Sequence, residues 1–232
     1  MFTNLFYLCN VIIMKKYKVL FFDTDGTLLD TLQDILEAVN FALRKLGYQK
    51  QYDYEEGKTL IGGGAYVLAK RAISFAKVSE KQYKEYEETF FRKYLELQDQ
   101  STKPYPGMIE LLKKCQKKYQ LFVVSNKPQI ILDDIIQKMF PKDTFIELGG
   151  HRPNNPEKPD PILINEFVKK YHLQKEECLM IGDSHTDIET AINAGVDSLL
   201  VTYGYGFYTD ELKKKATYVA NSIDELSRLL DD

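Results

Sequence analysis

At 232 residues, with 44% hydrophobic and 28% charged, the chain has ordinary globular composition and length enough for a sizeable core, which excludes a disordered protein. Its 31 basic and 34 acidic residues leave a net charge of −3, which argues against a nucleic-acid partner, since that role needs a basic patch or stripe. The three cysteines, Cys9, Cys115 and Cys178, are odd in number and lack a CxxC pattern, so neither a disulfide framework nor a zinc site is expected and a reducing cytoplasm fits.

In chain order, Leu5 to Met14 is mostly apolar but too short to span a membrane, and it lacks the preceding positive charge and the following small-residue cleavage site of a signal peptide. Met14, followed by Lys15-Lys16 and a strand, reads as a natural start, which makes residues 1–13 a leader outside the native protein. The first strand, Val19 to Phe22, runs into Asp23-Thr24-Asp25-Gly26-Thr27. Spacing by two keeps both carboxylates on one side of an extended chain. Neighbouring carboxylates repel, so one is held protonated while the other ionises, which divides them into an acid and a nucleophile. Gly26 lets the chain turn away. An acidic turn at a strand end would carry the same residues without chemistry, so the later strands decide.

Residues 31–102 are too long for a simple crossover and read as helical. Leu32, Ile35, Leu36, Val39, Leu43 and Leu46 recur at helical spacing, and Tyr83, Tyr86, Phe90, Tyr94 and Leu97 form a second stripe, expected to be bundle core and not a stacking surface. Between them Gly62-Gly63-Gly64 breaks the chain before a third helix, Ala65 to Ala76. The segment is expected to be an inserted α-helical cap, hinged at Leu28 to Asp30 and at Ser101 to Pro106. The core would then be residues 14–30 and 103–232.

The lysine pairs Lys113-Lys114 and Lys117-Lys118 that follow read as the solvated face of a helix. Short apolar runs recur at Leu121 to Val124, Phe145 to Leu148, Leu179 to Ile181 and Ser198 to Val201, with helical patterns between. That alternation predicts an α/β fold, a parallel sheet with helices on both faces, and a ligand beyond the carboxyl ends of its strands. Ser125-Asn126-Lys127-Pro128 places a hydroxyl and free backbone N–H groups there, ahead of a helix, which suits phosphate. Lys158, before Pro159, offers a compact positive charge at the same edge. The run Gly182-Asp183-Ser184-His185-Thr186-Asp187 again ends a strand in carboxylates, four apart at a helix entry. Asp183 with Asp23 would suit Mg2+, which takes one or two carboxylates plus substrate phosphate and water. Asp183 or Ser184 could equally cap the helix. His185, although inside this motif, is not needed as a base when carboxylates complete the chemistry.

Together and in this order, DxDGT, a strand ending in serine, a lysine before proline and GDxxxD resemble the haloacid dehalogenase superfamily, whose core is a Rossmann-like sheet. A helical insertion after the first motif is similar to its class with a small α-helical cap. Ala38-Val39-Asn40-Phe41-Ala42-Leu43, Gly62-Gly63-Gly64-Ala65, Ser125-Asn126-Lys127-Pro128 and Val201-Thr202-Tyr203-Gly204-Tyr205-Gly206 look most like bacterial phosphoglycolate phosphatases. The chain departs from that family's usual Gly-Asn-Gly-Ala by having Gly63 in the middle.

The resemblance implies a cytoplasmic phosphatase using Mg2+, with Asp23 as the nucleophile that becomes an aspartyl phosphate and Asp25 as the acid and base. It implies that Asp23, the Asp25 carbonyl and Asp183 hold the metal, that Asp187 orients its surroundings, and that Ser125, Asn126 and Lys158 hold the phosphoryl oxygens. The substrate would be a small phosphorylated metabolite, phosphoglycolate first, with Gly63, Gly64, Ala65 and Arg71 of the cap as candidate contacts and a monomer or homodimer as the working form. A pyrophosphatase, a nucleotidase or a sugar-phosphate mutase would share the scaffold. A phosphate-sensing domain without turnover would have little use for the acid Asp25.

Overall fold

Strand β1 (Val19–Phe22) is buried along its whole length, as its unbroken apolar run requires. The computed structural model describes residues 17–231 apart from 98 and 154, so the leader predicted at 1–13 lies outside the described residues. After β1 come the short β2 (Leu29–Asp30), helices α1 (Leu32–Lys45), α2 (Tyr54–Lys58), α3 (Gly64–Ala72) and α4 (Glu80–Leu97), and β3 (Lys103–Pro104). The chain then alternates through α5 (Met108–Cys115), β4 (Gln120–Pro128), α6 (Gln129–Met139), β5 (Glu147–His151), α7 (Ile162–Lys170), β6 (Cys178–Gly182), α8 (His185–Ala194), β7 (Asp197–Val201), α9 (Asp210–Lys215), β8 (Tyr218–Ala220) and α10 (Ile223–Asp231).

The main sheet is parallel with strand order β5-β4-β1-β6-β7-β8, so the α/β expectation holds, with β8 added at one edge. Side chains alternate across it. Leu20 and Phe22 pack with α5, α6 and α10, whereas Val19 and Phe21 pack with α7 and α8, which gives a helical layer on each face. Cys178 opens β6 fully buried, as expected of a core thiol.

Both hinges predicted from Gly and Pro punctuation meet in space, because β2 and β3 pair antiparallel, Leu29 with Pro104 and Asp30 with Lys103. The buried Asp34 carboxylate of α1 fixes the returning chain by accepting from Ser101 N at 2.9 Å, Thr102 N at 2.9 Å and Thr102 Oγ1 at 2.8 Å. Helices α1, α3 and α4 share a core of Ile35, Val39, Leu43, Leu68, Tyr86 and Phe90. Burying an aliphatic or aromatic side chain fully stabilises by about 1.5–3 kcal/mol, so this layer holds itself together by its own apolar faces. Among the described residues no helix is long and apolar enough to cross a membrane.

Candidate active site

Asp23 stands one residue beyond β1, and its N–H continues the ladder by donating to Ile181 O at 2.9 Å, so its carboxylate is fixed at the carboxyl edge of the central strands. The chain then turns tightly. Leu28 N and Leu29 N both donate to Thr24 O at 3.0 Å, and Gly26 takes φ +83°, a left-handed value that glycine accepts without strain. Asp25 follows on the same side, and its Oδ1 accepts from Thr31 Oγ1 at 2.7 Å, beside Lys127 Nζ at 2.9 Å.

Lys158 enters from the loop before α7 and is buried. Its Nζ donates to Asp23 Oδ1 at 2.7 Å, Asp187 Oδ1 at 2.6 Å and Val124 O at 3.0 Å, which uses all three ammonium hydrogens. Burial opposes this charge, but Asp187 and Asp23 outweigh it and hold the ammonium above its ordinary value. On Asp23, burial is the largest influence and pushes the carboxyl up to about 7; Lys158 pulls it down, while Asp187 and Asp25 push it further up. Asp183 is held well above the ordinary carboxylate range, by burial first and then by Asp187 and Asp23.

Three acids converge here. Carboxylate oxygens of Asp23, Asp183 and Asp187 all lie within 4.8 Å of one another. Asp187 is the least free, since its Oδ1 holds Lys158 and its Oδ2 accepts from Ser184 N at 3.0 Å and Ser184 Oγ at 2.6 Å, closing a capping box at the start of α8. The capping alternative raised for Ser184 therefore holds alongside the acidic cluster. Asp183 is set by its surroundings: Tyr205 N donates to its Oδ2 at 2.7 Å, and a Cβ at Gly26 or Gly204 would come within 2.2 or 2.3 Å of that same oxygen. Only glycine allows two backbone segments so close to one carboxylate. Oxygens of Asp23 and Asp183 remain to be shared, and a cluster of buried carboxylate oxygens within 4.8 Å of one another is the donor set a hard divalent cation takes, so the residues fit one.

The remaining sequence candidates are distributed unevenly. Ser125 is buried at the end of the apolar part of β4, and its Oγ accepts from Lys127 N at 3.3 Å. The Asn126 side chain is engaged with the loop that carries the lysine: its Oδ1 accepts from Lys158 N at 2.6 Å and its Nδ2 donates to Lys158 O at 3.1 Å. Its amide therefore positions Lys158. Gly63, Gly64 and Ala65 line a cleft of about 590 Å³ shared with Asp23, Asp25, Ser125 and Lys158. Gly62, Gly63 and Gly64 have φ of +97°, +88° and +83°, a run of left-handed values that explains the triplet. Arg71 does not line this cleft; its Nη1 donates to the carbonyls of Leu60, Ile61 and Gly62, so it braces the glycine turn from behind. His185 is exposed on the rim.

Two residues reach the cleft that the sequence reading did not single out for a role there. Lys127, 4% exposed, lines it next to Asp25, and Tyr94 of α4 lines it too, its hydroxyl accepting a hydrogen bond from Lys127 Nζ. The signal for Lys127 was available. It stands two residues after Ser125 in one strand, hence on the same side of β4. Tyr94 belongs to the aromatic stripe assigned to core, and it is core, with Phe90 stacked on it at 5.8 Å; its polar tip alone leaves the apolar layer.

Two carboxylates two residues apart at a strand end, a buried lysine and an acidic pocket at one sheet edge are the equipment of the haloacid dehalogenase-like hydrolases, and the chain belongs to that family, whose model matches residues 20–201. Within it the chain is similar to phosphoglycolate phosphatases. The phosphoglycolate phosphatase of Vibrio vulnificus strain CMCP6 is 32% identical over 223 residues, covering 94% of this chain and 96% of that one. That of Vibrio cholerae is 31% identical over 219 residues, covering 92% and 96%. A predicted phosphoglycolate phosphatase from Haemophilus somnus has a crystal structure that matches with a TM-score of 0.86 at 28% identity, over 93% of this chain and 99% of that one. The protein is a phosphoric monoester hydrolase.

Proposed function

We propose that the protein hydrolyses a small phosphate monoester, phosphoglycolate first, through an aspartyl phosphate on Asp23 with Mg2+ as cofactor. The observation that carries this reading is the arrangement around Asp23: a carboxylate with one oxygen held by Lys158, the other open to the cleft, and Asp25 beside it with its own hydrogen-bond partners. In the first step Asp23 attacks phosphorus while the bond to the leaving oxygen breaks, and Asp25 gives that oxygen its proton. In the second, Asp25 takes a proton from water as the water oxygen attacks the aspartyl phosphate, which releases inorganic phosphate and restores both carboxyls.

Lys158 would offset the charge of the transferring group, and the Ser125 hydroxyl would donate a hydrogen bond to it. Asp23, Asp183 and the Asp25 carbonyl would hold Mg2+, which supplies the further positive charge that phosphate monoester cleavage requires. Residues 31–102 act as the cap that excludes water, and the described residues on either side of them as the core. The phosphoglycolate phosphatases that resemble this chain over nearly their whole length support the substrate choice.

The test is release of inorganic phosphate from a panel of phosphorylated metabolites with Mg2+ present and after chelation. Phosphoglycolate should have the highest kcat/KM, and activity should vanish on chelation. Pyrophosphate or a hexose phosphate turned over roughly tenfold more efficiently, about 1.4 kcal/mol in transition-state binding, would overturn the substrate while leaving the Asp23 chemistry intact.

Metal binding should also show in stability. Asp23 ionises with more difficulty folded than unfolded, so its contribution to the stability of the metal-free protein is full below its ordinary value of 3.8 and is lost as pH rises towards 7. A cation held by Asp23 offsets that loss. The rise in Tm on adding Mg2+ should therefore grow between about pH 5 and about pH 7.5, measured by scanning calorimetry, whereas an increment independent of pH would place the ion elsewhere.

A further inference from the structure

We infer that Lys127, steadied by Tyr94, is the residue that selects a leaving group carrying a carboxylate; this rests on the phosphatase reading above and names the specificity determinant of the same site. Lys127 is buried in the wall of the cleft, with its ammonium set between Asp25 and Tyr94. An ammonium has three hydrogens. One goes to the Tyr94 hydroxyl and one to Asp25 Oδ1 at 2.9 Å; the third has no partner among the described residues.

Lys127 is distinct from the phosphate lysine. Lys158 uses all its hydrogens on Asp23, Asp187 and Val124, the nucleophile's side of the cleft, whereas Lys127 stands on the acid. Since Asp25 delivers its proton to the oxygen that departs, a cation beside Asp25 faces the leaving group. A carboxylate joined to that oxygen through a single carbon falls within hydrogen-bonding reach of an ammonium so placed. A sugar or nucleoside leaving group would set hydroxyls or a ring against the same charge and against the apolar residues Ile35, Leu68 and Phe90 in the wall.

The alternative carboxylate sites are less favourable. Arg71 does not line this cleft, and its Nη1 is engaged by the carbonyls of Leu60, Ile61 and Gly62. The start of α3 already has the Glu157 carboxyl against it, for a Cβ on Gly64 would stand 2.6 Å from Glu157 Oε1. A second carboxylate at that helix end would meet the first.

The test compares phosphoglycolate with ethyl phosphate and with phosphoglycolamide, a neutral analogue of the same size, in the Mg2+-loaded protein. The parent should prefer phosphoglycolate over both by about 10- to 150-fold in kcat/KM, the range of one hydrogen bond to a charged group. Lys127→Gln should collapse that ratio at least tenfold, with Arg71→Ala leaving it unchanged. Should Lys127→Gln lower all three substrates equally, Lys127 only positions Asp25 and the inference fails. Should the parent prefer phosphoglycolate to ethyl phosphate but not to phosphoglycolamide, charge is not what is read, and the inference fails without help from any variant. A parent with no preference for phosphoglycolate at all overturns the substrate reading itself.

Discussion

Asp23→Asn should lower phosphate release by at least about 10⁴-fold, the scale on which removal of an activated nucleophile acts. The amide keeps the shape of the carboxylate but cannot form an acyl phosphate. Lys158 retains Asp187 Oδ1 at 2.6 Å and Val124 O at 3.0 Å, so the pocket does not lose its cation, and thermal unfolding should stay within a few degrees of the parent. No phosphorylated protein should be trapped by acid quench. Asp25→Asn differs in kind: the nucleophile remains, so a slowly formed phosphoenzyme that persists would show loss of water activation. A folded Asp23→Asn variant with near-parental turnover would remove the covalent mechanism altogether.

Most of the core was legible because its strands are buried on both faces and so read as continuous apolar runs. The exceptions have physical causes. The edge strand β8 is only three residues long, and Tyr218 and Val219 are half-buried, so it carries no apolar run to detect. Strand β5 was expected at Phe145 to Leu148 and forms at Glu147–His151, because its pairing with β4 runs through Gly149, a residue without strand preference of its own. Within the insertion, α1 and α4 follow their stripes closely, whereas α3 ends at Ala72, short of the Ala76 expected.

The site was legible where each residue type has one obvious chemical use. Asp23, Asp25, Lys158 and Asp183 each sit at a strand end or in the loop beside it, and the structure brings them together. Asn126 and Arg71 show the limit of that approach. Both are donors near the right turn, yet one holds the Lys158 backbone and the other holds the carbonyls of a glycine turn, because three consecutive left-handed glycines leave acceptors that need satisfying. Tyr205 was likewise only part of a motif. In the structure its hydroxyl donates to Asp30 Oδ1 at 2.6 Å and accepts from Thr31 N at 2.6 Å, while its own N–H holds Asp183, so one residue ties the hinge to the acidic pocket. No spacing rule predicts such a contact across 174 residues.

Lys158→Met should be costly in two separable ways. Its ammonium is the one cation shared by Asp23 and Asp187, and with a side chain 3% exposed there is no solvent to replace it. Removing one partner of a buried ion pair typically destabilises by about 3–5 kcal/mol, so urea unfolding of the metal-free variant at about pH 7.5 should show a loss of that order. The sign with pH follows from the raised value of the lysine: its contribution is complete at all pH below its ordinary value of 10.5 and is lost only above it. The orphaned Asp23 carboxyl, already raised to about 7, by contrast escapes by taking a proton, so the deficit should shrink towards pH 5. Activity should fall by at least about 10³-fold, since the transferring group loses a preorganised charge. Adding Asp187→Asn separates the two effects. It removes one of the two negative charges while keeping an oxygen for Ser184, so stability should recover by more than half and activity should not recover at all. If the single variant were as stable as the parent at about pH 7.5, Asp23 and Asp187 would not depend on Lys158 for their charge balance, and the electrostatic account of this pocket would have to be rebuilt.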